Sequence, residues 1–252
     1  MAHEIPSEFE LTKKKRVKVN QSDAQYISLA NKFLLESYKN KYSYNFNWLG
    51  IPIIQFPEDI VLMQEIIFNI KPDLIIETGV ARGGSIIFYA SLLKLLNKKK
   101  VIGIDVDILD FNENAIYSHF LSDKIELLTG DSTSKETFLN AKSKVCAGDI
   151  VIVCLDSNHS QQHVYRELKL YSDLVSIDSY LVVFDSTIQS LDSDAINELK
   201  SQYQIKDWGK DNNPGSAVEK FLQEDKRFVH DDYFNSKAIV SNCRGGFLKR
   251  IS

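Results

Sequence analysis

The sequence predicts an α/β fold with a doubly wound, mainly parallel sheet. Short apolar runs alternate with helical patterns, and such alternation is typical of parallel sheets built from strand–helix–strand units. The apolar runs lie at 74–78, 101–105, 125–129, 150–155 and 180–184, and the helical patterns at about 84–97, 134–143 and 160–177. Several strands end in an acid, and ligands of open α/β sheets bind outside the carboxyl ends of the strands. The acids are Glu77, Asp105, Asp131, Asp156 and Asp185.

The chain before the first predicted strand is expected to be a tail followed by helices. Residues 1–20 are polar and charged, and we expect them to be loosely ordered. Apolar residues at helical spacing predict a helix from Ser22 to about Lys39. The aromatic piece at 42–50 is predicted to be an ordered loop. Pro57 and the two acids after it predict a further helix, to about Asn69.

Two regions follow from this pattern: residues 1–70 as tail and helical extension, and residues 71–252 as the ligand-binding domain. The last third adds a predicted helix near 215–225 and predicted strands near 228–232 and 246–250.

Composition allows a soluble enzyme and gives no sign of a nucleic-acid-binding or membrane protein. The net charge of −4 gives no bias towards polyanions, and the basic run at 13–16 is interpreted as a solvated tail. No apolar run reaches membrane-spanning length, and the beginning of the sequence lacks a signal-peptide core. The three cysteines have no CxxC spacing, so we expect neither disulfides nor a zinc site, and a cytoplasmic location.

A glycine-rich turn follows the first predicted strand. Gly79, Gly83 and Gly84 do not have the spacing of the dinucleotide fingerprint G-x-G-x-x-G. The glycines allow the main chain to approach a ligand closely, and the following helix offers unpaired N–H groups. Glu77, just before the turn, would repel a pyrophosphate. The pattern therefore favours a ligand with a positive end, such as S-adenosylmethionine.

Two further acids are candidates for binding an adenosine ligand. Asp105 ends the second strand and can accept hydrogen bonds from both ribose hydroxyls; the alternative role is to cap a helix. Asp131, followed by Ser132, could accept a hydrogen bond from the adenine amino group. Its alternative is stronger, because Asp-Ser-Thr-Ser at 131–134 is also a good capping sequence.

Asp156, His159 and Asp185 form the second candidate cluster. The two aspartates end buried strands, and neighbouring strands lie about 5 Å apart, so the carboxylates could share one divalent cation. Oxygen ligands favour Mg²⁺ over zinc. His159 could take a proton from a substrate hydroxyl, or it could be a surface residue at a helix start. His163, one helical turn later, is interpreted as structural.

Five motifs together resemble the cephalosporin hydroxylase family, from about residue 45 to the last residue. They are IETGVARGGS (76–85), LDSNHS (155–160), SYLVVFD (179–185), DNNPGSAV (211–218) and NCRGGFLKR (242–250). The resemblance implies S-adenosylmethionine-dependent methyltransferases of antibiotic intermediates or of glycolipid and surface sugars. It also implies the seven-stranded, Rossmann-like class I methyltransferase sheet with a reversed last hairpin, and a homo-oligomer.

The residue patterns and the resemblance together predict roles for single residues. S-adenosylmethionine would be held by Glu77, Gly79, Ala81, Gly83, Ser85, Asp105, Asp131 and Ser132. Asp156 and Asp185 would bind Mg²⁺, and His159 would act beside Asp156 as the base. One position departs from the family, since Phe184 stands where an acid is expected before the second aspartate. Ser186 or a water could fill that gap.

The resulting hypothesis is a Mg²⁺-assisted O-methyltransferase that acts on a sugar hydroxyl of a surface polysaccharide or glycolipid precursor. Its expected partner is a small-molecule or glycan acceptor. The alternatives are a metal-independent methyltransferase of a small natural product and an accessory subunit that binds the cofactor without catalysis. An oxidoreductase lacks support, because the sequence has no dinucleotide fingerprint.

Overall fold

A seven-stranded sheet lies at the centre of the computed structural model, which describes residues 7–203 and 208–252. The helices of this part are α1 (Ser7–Ser22), α2 (Ala24–Lys39), α3 (Pro57–Ile70), α4 (Gly84–Leu95), α5 (Asp110–Tyr117), α6 (Lys135–Ser143), α7 (Gln161–Tyr171), α8 (Ser193–Tyr203), α9 (Pro214–Glu224) and α10 (Asp232–Lys237). The strands are β1 (Phe46–Trp48), β2 (Ile51–Ile53), β3 (Leu74–Thr78), β4 (Lys100–Asp105), β5 (Ile125–Thr129), β6 (Val151–Leu155), β7 (Tyr180–Val183), β8 (Phe228–His230) and β9 (Phe247–Arg250).

The strand order is β5-β4-β3-β6-β7-β9-β8, and the first five of these strands are parallel. β9 runs antiparallel to both of its neighbours. This topology confirms the predicted doubly wound sheet and the reversed last hairpin. The strand order changes direction between β3 and β6, and such a switch point is where open α/β sheets bind ligands.

Helices cover both faces of the sheet because side chains of a strand alternate between its faces. In β3, Ile75 packs in a core with α3 and α4, whereas Ile76 packs in a second core with α7 and α9. Both side chains are fully buried. The strands are therefore buried on both faces, as continuous apolar runs predict.

The helix expected from Ser22 to about Lys39 is confirmed as α2, but other parts of the first 50 residues differ from the sequence-based expectation. Residues 1–6 lie outside the described part, but Ser7–Ser22 form α1 rather than a loosely ordered tail. Val17 of this helix is buried, and Gln21 donates a hydrogen bond to the carbonyl of Ser236 near α10. These contacts come from residues far away in the chain, which a local pattern does not reveal.

The aromatic piece expected to be a loop forms a short 3₁₀ turn and the hairpin β1–β2. The two turn residues, Leu49 and Gly50, both have positive φ, as a two-residue hairpin turn requires. Trp48 packs edge-to-face on Phe88 of α4 and donates to Ser91. The hairpin is thus fastened to the helix that begins at the glycine turn. No helix of the described part is long and apolar enough to cross a membrane.

Gly246, just before β9, is predicted to be intolerant of any side chain. A Cβ there would lie 2.0 Å from the carbonyl oxygen of Val183 in β7. Gly246→Ala should lower the free energy of unfolding by about 1–3 kcal/mol or more, because backbone must move apart. Urea denaturation measures this. Gly209→Ala is the control, since a Cβ at Gly209 meets nothing within 4 Å; an equal loss in both variants would contradict the prediction.

Candidate active site

The glycine turn is packed between the carboxyl ends of β4 and β6. Gly79 has φ +91° and donates its N–H to the carbonyl of Ile104, at 2.7 Å. A Cβ on Gly79 would lie 2.1 Å from the carbonyl oxygen of Asp156. Only glycine therefore satisfies both the left-handed conformation and this close approach. Gly83, also at positive φ, is the N-cap residue of α4.

Asp105 is brought against the same turn. One of its carboxylate oxygens accepts hydrogen bonds from the N–H groups of Val80 and Ala81, at 2.8 and 3.3 Å. The other accepts from the N–H of Asp107. Asp105 is not the N-cap of α5, which begins after Leu109. The helix-capping alternative for Asp105 is therefore wrong, and its role towards a cofactor stays a prediction.

Glu77 is fully buried below the turn. One carboxyl oxygen accepts a 2.6 Å hydrogen bond from Ser85; the other has no well-aligned hydrogen bond among the described residues, although Tyr89 is close enough to lower the pKa of Glu77. Burial raises the pKa of Glu77 to about 8, although the Ser85 hydrogen bond opposes the shift. A buried carboxyl oxygen without a partner is costly, so this site is suited to a ligand that supplies a cation or a donor.

Asp131 and Ser132, in the loop after β5, point to different surroundings. Asp131 is exposed and accepts two hydrogen bonds from Thr133, at 2.8 Å each. The cap of α6 is Ser134 instead. Ser132 is buried, and its hydroxyl donates to Glu167 at 2.6 Å. Its hydroxyl is thus engaged inside the protein, and the adenine-binding role of both residues stays a prediction.

Asp156, His159 and Asp185 come together at the ends of β6 and β7. One potential ligand atom from each lies within 4.8 Å of the other two. Nδ1 of His159 lies 2.7 Å from Oδ2 of Asp185, and its Nε2 lies 4.0 Å from Oδ1 of Asp156. The side chains are 22%, 27% and 13% exposed in chain order, so solvent reaches each only partly.

The charges of this cluster are unevenly distributed. Burial, and then the negative charge of Asp185, raise the pKa of Asp156 well above its usual range. Burial alone would raise the pKa of Asp185 too, but neighbouring His159 outweighs it and lowers the value. For His159 burial acts to lower the pKa, and Asp185 reverses this and raises it. An extra cation between the two aspartates would relieve their repulsion.

Two residues that no local sequence pattern selects hold the aspartates. Gln55, between β2 and α3, donates to Oδ2 of Asp156 at 2.9 Å. Asn242, between α10 and β9, donates to Oδ1 of Asp185 at 2.6 Å. These pairs are 101 and 57 residues apart in the chain. Asn242 lies in a motif that the family resemblance includes, which is the only signal that could have marked it.

Phe184 and Ser186, on either side of Asp185, do not contribute donors to the cluster. Phe184 is buried in the core that contains α3 and α4. Ser186 is buried too, and its hydroxyl donates to the carbonyl of Arg244 at 3.1 Å. The suggestion that Ser186 fills the gap left by Phe184 therefore finds no support in these contacts.

A cavity of about 300 Å³ opens in front of the two aspartates. The indole of Trp208 stacks on the ring of His159, with centroids 5.9 Å apart and planes 24° apart. Gln55 and Ala81 reach the cavity from the β2–α3 loop and the glycine turn. Its aromatic wall consists of Tyr38, Tyr44, Tyr203 and Trp208. Trp208, at the start of the loop before α9, thus contributes to this pocket.

The order of the seven strands, the reversed last strand and the glycine turn at the switch point define a class I methyltransferase fold. A family model described as "Rhamnosyl O-methyltransferase/CmcI" matches residues 40–251. The chain belongs to this family. The match confirms the resemblance drawn from the five motifs, and with it the prediction that the chain is a methyltransferase.

Individual relatives share about a third of the aligned residues or fewer with this chain. The rhamnosyl O-methyltransferase of Mycobacterium leprae (strain TN) is 31% identical over 161 residues, which are 62% of this chain and 69% of that protein. That of Mycobacterium bovis (strain BCG / Pasteur 1173P2) is 28% identical over 172 residues, 61% of this chain and 64% of that protein. The chain thus spans about two thirds of their length. A solved structure of CmcI with Mg and SAM has a TM-score of 0.57 at 19% identity, covering 83% of this chain and 78% of that one, which supports the fold.

Asp59 of α3 fixes the segment that carries Asn242. Its two carboxyl oxygens accept hydrogen bonds from the hydroxyl of Ser241 and the N–H of Asn242, at 2.6 and 2.7 Å. Thr187 also donates to the carbonyl of Ser241. Asp59 is only 1% exposed, and burial raises its pKa to about 7 despite these hydrogen bonds.

The raised pKa of Asp59 predicts a pH dependence of stability. The folded protein keeps this proton up to about pH 7, whereas the unfolded chain releases it near about pH 4. Between these values the folded state binds more protons, so the contribution of Asp59 to stability decreases as the pH rises. Relative to wild type, Asp59→Asn should gain about 2 kcal/mol between pH 5 and pH 7.

Urea denaturation of both proteins at the two pH values measures this difference. Asp178→Asn is the control, because the side chain of Asp178 is 79% exposed. The opposite trend, or the same trend in the control, would contradict the assignment to Asp59.

Proposed function

We propose that the protein transfers a methyl group from S-adenosylmethionine to a hydroxyl of a sugar, assisted by a divalent cation. The observation that carries this proposal is the contact of Gly79 with the backbone of Asp156. It joins the glycine turn, the candidate donor site, directly to the cluster of Asp156, His159 and Asp185, the candidate acceptor site. Methyl transfer is a displacement between two reactants, and much of its rate can come from holding them in contact.

The chemistry of the turn suits S-adenosylmethionine. Glu77 offers a buried carboxyl oxygen without a well-aligned hydrogen bond among the described residues, suitable for the ligand's ammonium group. Gly79, Gly83 and Ser85 are proposed to lie along the ligand, together with Ala81, which lines the neighbouring cavity. Asp105 adjoins the turn, where it can accept hydrogen bonds from a ribose. Asp131 and Ser132 are proposed to line the adenine end, Ser132 through its main chain.

The cluster at the strand ends suits a divalent cation. Asp156 and Asp185 supply hard oxygen donors, which Mg²⁺ prefers. Nδ1 of His159 lies 2.7 Å from Oδ2 of Asp185, so the imidazole adjoins a carboxylate that is proposed to hold the ion. When bound, Mg²⁺ lowers the pKa of a coordinated hydroxyl and orients it.

His159 is proposed to accept the proton of the acceptor hydroxyl. The charge of Asp185 stabilises the protonated imidazole and so favours proton uptake. Stacking on Trp208 fixes the plane of the ring. Gln55 orients Asp156 from the opposite side.

A sugar acceptor is supported by the cavity and by the relatives. The cavity is walled by aromatic rings and contains a few polar groups, as in sites that bind small ligands in one orientation. The relatives are rhamnosyl O-methyltransferases. We propose a sugar of a surface polysaccharide or glycolipid precursor as the acceptor. We also propose that the protein is a homo-oligomer and is located in the cytoplasm. Light scattering of the purified protein measures the size of the oligomer.

Asp105 is predicted to determine the affinity for S-adenosylmethionine. Asp105→Asn should weaken binding by about tenfold or more, since hydrogen bonds to a charged acceptor are lost. Calorimetric titration measures this, with the exposed neighbour Asp107→Asn as the control. Absence of binding by the wild type would overturn the proposed function, and equal binding by both variants would remove Asp105 from the site.

Methyl transfer is predicted to require a divalent cation. Treatment with EDTA, or Asp185→Asn, should reduce transfer from labelled S-adenosylmethionine to rhamnosides by about 100-fold or more. Mg²⁺ should restore the EDTA-treated wild type but not the variant, and Asp178→Asn should retain activity. Full activity in EDTA would instead establish the metal-independent alternative.

A further inference from the structure

Asn242 occupies an unusual position beside the candidate metal site. Its amide nitrogen donates to Oδ1 of Asp185 at 2.6 Å, and its amide oxygen accepts a hydrogen bond from the hydroxyl of Tyr38. The side chain lines the same cavity as Asp156 and His159. The amide is thus placed directly at a carboxylate that we propose to bind a cation.

The backbone of Asn242 is held firmly from two sides. Asp59 accepts its N–H, at 2.7 Å. Its carbonyl accepts the N–H of Thr187, two residues after Asp185. The backbone position of the side chain is therefore fixed, and the terminal amide can still rotate about its own bond.

We propose that Asn242 supplies the third protein oxygen ligand of the cation by turning its amide, so that Oδ1 faces the ion bound by Asp185. The proposal rests on the function proposed above. It would add an oxygen ligand from outside the strand ends that carry Asp156 and Asp185. Phe184 itself is buried in the apolar core and supplies no oxygen.

The amide can keep a hydrogen bond with Tyr38 in both orientations. In the structure the NH₂ group faces the carboxylate and the oxygen faces the phenol. With a cation on Asp185, the oxygen faces the ion and the NH₂ group faces the phenol. A hydroxyl both donates and accepts hydrogen bonds, so Tyr38 fits either orientation.

The distances fit joint ligation by Asp185 and Asn242. Ligands of Mg²⁺ lie about 2.0–2.1 Å from the ion in an octahedron, which places adjacent ligand atoms about 2.9 Å apart. The amide end of Asn242 is already 2.6 Å from the carboxylate oxygen. Three protein oxygens, from Asp156, Asp185 and Asn242, leave positions for water and the acceptor hydroxyl. His159 then remains available as the base.

The test uses Mn²⁺ as the probe, because carboxylate and carbonyl ligands suit both Mn²⁺ and Mg²⁺. Electron paramagnetic resonance gives the affinity, and the water-proton relaxation rate gives the number of waters on the bound ion. The variants are Asn242→Ala, Asn242→Asp and Asp185→Asn, with the exposed Asn114→Ala as the control. Titration with S-adenosylmethionine, whose site does not include residue 242, shows that each variant is folded.

Asn242→Ala should weaken Mn²⁺ binding by about 10–100-fold or more and add one water to the bound ion. Asn242→Asp should bind at least as tightly as the wild type, with no added water, because it keeps an oxygen ligand. If the amide only donates to Asp185, Asn242→Asp should also bind Mn²⁺ more weakly than the wild type, since aspartate cannot donate. Equal losses of affinity in both variants would therefore overturn the proposal.

The remaining outcomes separate this inference from the proposed function. Normal binding by Asn242→Ala, together with loss of binding by Asp185→Asn, would overturn the role of Asn242 and leave the metal site intact. No Mn²⁺ binding by the wild type would overturn both the role of Asn242 and the metal-assisted function.

Discussion

The close contact between the glycine turn and the end of β6 is the constraint on which the site depends. Gly79 lies so near the carbonyl of Asp156 that no side chain fits between them. The same glycine donates to β4 through Ile104, so it is tied to both neighbours of its own strand. Parallel pairing of β3 with β4 and β6 thus fixes the spacing of the proposed donor and acceptor sites. A rigid scaffold of this kind suits a reaction that consists mainly of positioning.

The pair of aspartates is held by segments outside the parallel sheet. Asp156 is supported by Gln55, which precedes α3, and Asp185 by Asn242, which precedes β9. Burial and the charge of Asp185 raise the pKa of Asp156 and so favour its protonated form. At Asp185 the neighbouring His159 outweighs burial and lowers the pKa. The cluster is therefore an electrostatically unbalanced site, in which a cation is the most direct compensation.

The sheet and the acids at its edge were predictable, whereas the residues that complete the site were not. Apolar strands and their terminal acids are local patterns, so Asp105, Asp156 and Asp185 could be selected from the sequence alone. Gln55 and Asn242 act across 101 and 57 residues, and no periodicity marks a residue for such a contact. The helix α1 was not predicted for the same reason, since its contacts are with distant parts of the chain. The site roles themselves stay predictions.

The position of β9 between β7 and β8 has a consequence for folding. β8 precedes β9 in the sequence, yet in the described sheet β8 pairs only with β9. β8 cannot join the sheet until β9 has closed a long loop back to β7, where Lys249 faces Tyr180. Non-local closures of this kind are slow. Until β9 pairs with β7, the edge of β7 presents unpaired backbone groups, with which a second unfolded chain can pair. Aggregation therefore competes with the addition of β9 to the sheet.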